Sequence, residues 1–307
     1  MIMTMTNQLS RISIAILALV ISLTSVDILH AQQRRIFATT TTLDQRSNEI
    51  IEFDEANGVL NTLETGTTFR ASLAALGDTI LTLDRLTSVS EYDLDGNYLG
   101  EFLEPQPQSY DQIETDKAGN VYLNGSNGAL RLNSEGEITL ETPRIGNLGI
   151  DADAAGNIYI GRNASGPNGM GTLTKLSPSG QVLAESDVPF LFVGDLTIDE
   201  ANQRLYVAEQ PGGMAVFDIS TPTPTLENSF ELPWQTTGVS FDEASGNVLV
   251  GSLSFQLYEV NAAGDVVNSF FDTTFFEDVV SIPVPEPTSG VLLVGCSLFA
   301  CLIRRRS

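Results

Sequence analysis

One histidine, two cysteines and one tryptophan occur in 307 residues. His30 sits in an apolar stretch near the N-terminus, and Cys296 and Cys301 sit in another near the C-terminus. The long segment between them therefore has no imidazole for a Ser-His-Asp or Cys-His nucleophile set. It also lacks the His and Cys ligands on which zinc and copper sites depend, and it can form no disulfide. Basic side chains are scarce as well, 15 Lys and Arg against 39 Asp and Glu, for a formal charge of −24. With Asp27, Arg11 and the terminal Arg304, Arg305 and Arg306 set aside, 38 acidic residues face 11 basic ones, a balance of −27 in which Lys117 and Lys175 are the only lysines. Such a surface repels nucleic acid. It suits solubility outside a cell and loose attraction of divalent cations.

The two ends carry sorting information. Arg11 precedes an uncharged run from Ile12 to Val26, and Ala31 offers a small residue at which signal peptidase could cut, so residues 1–31 read as a signal peptide. Leu29 departs from the small residue preferred at its position, which leaves the cut site open. At the other end Val284-Pro285-Glu286-Pro287 is followed by an uncharged run, Thr288–Ile303, and then by Arg304-Arg305-Arg306. At about 1.5 Å per helical residue this run of 16 spans roughly 24 Å, less than the ~30 Å of a bilayer interior, which makes it a marginal anchor. The arginines would stay cytoplasmic and leave everything before Pro285 outside that membrane.

This order of parts in residues 283–307 resembles the PEP-CTERM sorting signal of exported bacterial proteins. The resemblance implies recognition and cleavage near the motif by an exosortase-type membrane protease. The chain would be membrane-anchored through its C-terminal helix before processing and reach the cell surface or the extracellular matrix afterwards. An ordinary anchor that is never cut is the alternative. The resemblance concerns route and says nothing of the activity of the body.

The body, residues 32–282, repeats a strand, an Asp-led turn and a second strand. Ile113–Leu123, Ile150–Ile160, Leu196–Val207 and Val239–Val250 carry the pattern, with a worn copy around Gly77-Asp78. Gly and Asn tolerate the positive φ of tight turns, while alternating Ile, Val, Tyr and Leu face a core. The anchors Asp116, Asp153, Asp199 and Asp242 are 37, 46 and 43 residues apart, the period of a propeller blade. A second family of six hairpins interleaves with the first, among them Glu91–Leu99, Leu173–Leu183 and Leu257–Val267. In this setting Asp93-Leu94-Asp95-Gly96-Asn97 reads as a hairpin turn rather than a calcium loop, and Trp234 as a core residue at a blade junction.

Two hairpins per unit make a four-stranded blade, and the body holds six units of about 42 residues. The predicted fold is all-β, a six-bladed β-propeller of four-stranded antiparallel blades, with an N-terminal signal helix and a C-terminal hydrophobic sorting helix. Blade one begins at its second strand, and Asp278–Ile282 is expected to supply the missing innermost one. The inner hairpins resemble NHL-type propeller repeats, a resemblance specific for architecture and weak for function. A β-sandwich or β-helix built of similar hairpins is the competing architecture.

Innermost strands line a propeller's channel. Four residues before each anchor stand Gln112, Gly149, Asp195 and Gly238, with Asp278 in the matching place on the closing strand and Asp111 and Glu277 adjacent. Carboxylates and an amide around one axis could hold Ca2+, the one candidate cofactor, but an acidic wet channel with nothing specific bound is the favoured reading. Gluconolactonase-type enzymes resemble the chain in fold and use a channel metal held by Glu, Asn and Asp. That resemblance would cast Asn147, Asp195 and Asp278 as ligands, although the family's surrounding motifs and its base have no visible counterpart here. The expected function is a binding or extracellular-matrix role at the surface, with a metal-dependent lactonase as the alternative. Expected partners are the sorting protease, signal peptidase, and a polysaccharide or other surface component.

Overall fold

The turns of the body are built the same way in blade after blade, and they set the phase of the strands. Asp116 Oδ1 accepts the backbone N–H of Ala118 and Asn120, while its Oδ2 accepts Asn120 Nδ2 at 2.7 Å and the Tyr122 hydroxyl at 2.8 Å. Asp153 repeats the set with Ala155, Asn157 and Tyr159. Gly119 and Gly156 close these turns at φ of 82° and 79°, a region that L side chains rarely adopt. The outer hairpins use the same device, with Asp93, Asn133 and Asn261 each accepting two backbone N–H groups of their own turn.

The computed structural model describes residues 34–283 apart from 42–48, 55–57, 65–69, 85–86, 126, 144, 147, 165–168, 210–211, 233 and 272–274. The expected signal helix and sorting helix lie outside the described residues. Among the described residues no helix is long and apolar enough to cross a membrane.

Among the described residues, twenty-four strands form six four-stranded sheets. Blade one contains β1 (Arg34–Thr41), β2 (Glu49–Asp54) and β3 (Gly58–Glu64), and blade two contains β4 (Arg70–Leu76), β5 (Thr79–Asp84), β6 (Val89–Asp93) and β7 (Tyr98–Leu103). Blade three follows with β8 (Tyr110–Thr115), β9 (Val121–Gly125), β10 (Gly128–Leu132) and β11 (Ile138–Glu141). Blade four has β12 (Leu148–Ala152), β13 (Ile158–Arg162), β14 (Thr172–Leu176) and β15 (Val182–Asp187). Blade five has β16 (Val193–Asp199), β17 (Arg204–Glu209), β18 (Gly213–Asp218) and β19 (Thr225–Phe230). Blade six has β20 (Thr236–Asp242), β21 (Asn247–Ser252), β22 (Gln256–Val260) and β23 (Val266–Phe271). The last strand, β24 (Phe275–Pro283), lies beside β1 and completes blade one, in the place expected for the closing strand. The fold is a six-bladed β-propeller.

Arg34–Ile282 forms one compact unit. Its interior is divided into six apolar clusters, one between each pair of adjacent blades. The cluster between blades six and one joins Leu249, Leu257 and Phe270 to Ile36, Phe53, Phe276 and Val279, so apolar burial itself draws the two chain ends together. Arg34 adds a polar lock at that seam. Its guanidinium pairs with Asp242 and donates to Glu259 at 2.8 Å, all three side chains being buried, and the Ser281 hydroxyl donates to Asp242 from β24 at 2.7 Å.

Candidate acidic channel site

Five of the six innermost strands enter the propeller through an irregularity. Register shifts fall between Arg70 and Ser72 in β4, Tyr110 and Gln112 in β8, Leu148 and Ile150 in β12, Val193 and Leu196 in β16, and Thr236 and Val239 in β20. A bulge re-aims the side chain that follows it. Here the positions at the bulges, Ser72, Gln112, Gly149, Asp195 and Gly238 in blades two to six, form one tier around the axis with Asp278 of blade one.

Members of this tier clasp the neighbouring blade. Asp278 Oδ2 accepts Leu73 N–H at 3.0 Å and the Ser72 hydroxyl at 2.5 Å across the seam to blade two, and its Oδ1 accepts Val279 N–H of its own strand at 2.8 Å. Ser72 in turn accepts Ile113 N–H of blade three at 3.1 Å. Asp195 accepts Val239 N–H of blade six at 2.9 Å and Leu196 N–H at 2.8 Å. Glycine occupies the intervening places because the strands approach too closely for a side chain. A Cβ at Gly149 would lie 3.1 Å from the Asp195 Cα, and one at Gly238 would lie 2.6 Å from the Asp278 Cα.

Two residues further along lies a second tier, on the same side of each strand by the period of two. Asp151 accepts Ile198 N–H of blade five at 2.7 Å and Ala152 N–H at 2.6 Å, and Thr197 accepts Phe241 N–H of blade six at 2.8 Å. Glu114 occupies the same level in blade three. Burial, followed by the charges of Asp151, Asp195 and Asp278, holds Glu114 well above the usual carboxylate range, although part of its surface remains open. Burial likewise lifts Asp151 and Asp278 to about 7 against the hydrogen bonds that favour their ionised forms. Asp195 is raised by burial first and by the charge of Asp278 second. Four carboxyl groups from blades one, three, four and five thus share one electrostatic environment in which not all can ionise at neutral pH.

The expected site residues fare differently. Asp195 and Asp278 stand in one tier, where the charge of Asp278 acts on Asp195, Gln112 stands in the same tier, and Asp111 and Glu277 sit half-buried just before it. Asn147 and the residues expected to direct sorting, Val284, Pro285, Glu286, Pro287, Arg304, Arg305 and Arg306, lie outside the described residues. Sequence reasoning missed Ser72, because the worn turn of blade two carries no aspartate at the anchor position. It also missed Glu114 and Asp151, which counting two residues on from Gln112 and Gly149 would have found.

The carboxyl oxygens that calcium or a lactonase metal would use in this channel are largely engaged. Both oxygens of Asp151, Asp195 and Asp278 already accept backbone N–H groups, and among the described residues no group of three or more His, Cys, Asp or Glu forms a metal-holding cluster. What the arrangement does chemically is fasten blade to blade and retain protons.

No protein-family model matches the chain, and no curated protein matches it significantly. Solved structures do resemble it. A protein of unknown function from Bacteroides caccae shares 15% identity at a TM-score of 0.61, covering 82% of this chain and 99% of that one. The β-propeller domain of Cps50 (Swd1) from Myceliophteria thermophila shares 15% identity at a TM-score of 0.56, covering 75% and 82%. A streptogramin B lyase shares 16% identity at a TM-score of 0.51, covering 85% and 76%. At such identities the chain is similar to these proteins in fold alone, and that fold is the β-propeller.

Proposed function

We propose that this chain is an exported, surface-sorted β-propeller that serves as a binding module at the cell envelope or in the extracellular matrix. The observation that carries the reading is where the fold ends. The closing strand β24 runs to Pro283, and Val284-Pro285-Glu286-Pro287 begins at the next residue. Everything the propeller needs therefore precedes the motif, and a cut near the motif would release a closed, complete body. The acidic body supports a role in the aqueous exterior, and its lack of histidine and cysteine favours binding over nucleophilic chemistry.

The test is to replace Pro285, Glu286 and Pro287 with alanine and to fractionate cells. Export should persist while the uncut protein stays in the membrane fraction. Release equal to that of the unaltered protein would contradict the reading.

A further inference from the structure

First and third strands of a blade run in the same direction, so the starts of β16, β20 and β24 share one end of the propeller with the starts of β18 and β22. Aromatic residues form an arc along that end over blades five, six and one. Phe192 is 49% exposed in the loop before β16, and its neighbour Phe190 approaches Gly213 so closely that a Cβ there would lie 3.4 Å from the ring. A Cβ at Gly212 would lie 2.3 Å from the Trp234 carbonyl oxygen, and the half-buried Trp234 stacks on Tyr258 at 3.5 Å between ring centroids. The Tyr258 hydroxyl meets that of Ser254 at 3.3 Å, and Phe255, 40% exposed, stacks on Phe275 at 4.5 Å.

Two features set this arc apart from ordinary edge exposure. Phe255 is held at a φ of 63°, a strained state for a bulky side chain, and it presents its ring to solvent while in that state. Among the described residues, the buried Nε1 of Trp234 has no hydrogen-bond partner. Carboxylates border the rings. Glu209 lies beside Gly213, with its pKa raised by burial and then by the charge of Glu231, which stands in the loop before β20.

We propose that this arc binds a linear glycan whose sugars carry free amines, an inference that rests on reading the chain as a surface-binding module. Flat aromatic faces pack against the C–H faces of sugar rings and attract ammonium groups. Glu209 and Glu231 supply the opposite charge, and a body of net −27 repels a polyanionic glycan. An arc crossing three blades suits an extended polymer rather than a single small ring.

Calorimetric titration of the purified protein with a β-linked glucosamine hexamer, its N-acetylated counterpart and a uronic-acid hexamer tests this separately from sorting in cells. The glucosamine hexamer should bind, the acetylated chain should bind more weakly and the uronic-acid chain not at all. Phe255→Gly suits the left-handed backbone, so it should keep or raise the melting temperature while weakening binding about tenfold. A Glu209→Gln, Glu231→Gln double variant should erase the preference over the acetylated chain. No binding of the glucosamine hexamer, equal binding of the acetylated or uronic-acid chain, or undiminished binding by Phe255→Gly would each overturn the proposal.

Discussion

Raising the pH from 5 to 8 is expected to destabilise this propeller, the reverse of what a carboxylate-rich protein held by ion pairs would do. Asp151 and Asp278 keep their protons up to about 7. An unfolded aspartate titrates near ~3.9, so each group binds its proton more tightly in the fold by about 3 units, or about 4 kcal/mol. That stability is fully present below the unfolded value and is lost as the pH rises through 7. Glu114 and Asp195 act in the same direction. Glu259 acts in the other: despite its burial, hydrogen bonds from Asn247 and Arg34 hold it below its ordinary range, and its contribution fades only under more acidic conditions. Since the channel groups share a field, their protons leave in joint steps, and a loss on the order of 4 kcal/mol for the set is the working figure. At ~2–4 °C per kcal/mol for a domain of this size, the melting temperature should be about 10 °C lower at pH 8 than at pH 5. Scanning calorimetry across that window measures it, and Asp278→Asn should reduce the difference because one of the four channel carboxyls no longer ionises. A melting temperature that rises from pH 5 to pH 8, or an Asp278→Asn profile equal to that of the unaltered protein, would refute the reasoning.

Arg34→Met should cost about 3–5 kcal/mol in urea unfolding, because Asp242 and Glu259 would be left as buried charges without their partner; a loss below about 1 kcal/mol would show that the seam is held by apolar packing alone. Truncation before Asp278 should leave blade one without its inner strand and expose the edge of β1, giving concentration-dependent aggregation in light scattering, whereas a monomer of unchanged melting temperature would show that β24 is dispensable. Millimolar calcium should leave the melting temperature where a chelator leaves it, since the channel oxygens already accept backbone donors. A calcium-dependent rise that an Asp195→Asn, Asp278→Asn double variant abolishes would restore the cation site.

The blades were legible in the sequence because their turns are local chemistry. Asp116 and Asp153 hydrogen-bond within a few residues of themselves, so their spacing survives as a readable period. The closing strand was legible because Asp278-Val279 repeats the form of Asp195-Leu196. The channel was half legible. Counting back from an aspartate anchor found Asp195 and Asp278 but missed Ser72, where the anchor is absent. It also gave no sign that bulges turn these side chains toward backbone donors of the next blade, which is why free ligands were expected where clasps are found. The aromatic arc left no trace in the linear order, because Phe192, Trp234 and Phe255 belong to separate loops and Phe275 opens β24, and only blade closure brings them to one end. Trp234, expected in the core at a blade junction, packs half-buried against the apolar cluster between blades five and six and stacks on Tyr258.

The central claim, that a complete propeller is released from a sorting segment, is tested most directly by the intact mass of the protein recovered from outside the cell. The account predicts a chain that begins after the signal segment, retains β24 through Pro283 and ends near Pro285–Pro287, without the apolar run and without Arg304, Arg305 and Arg306. A mass that includes every residue through Ser307, or one whose C-terminus falls inside β24, would contradict it.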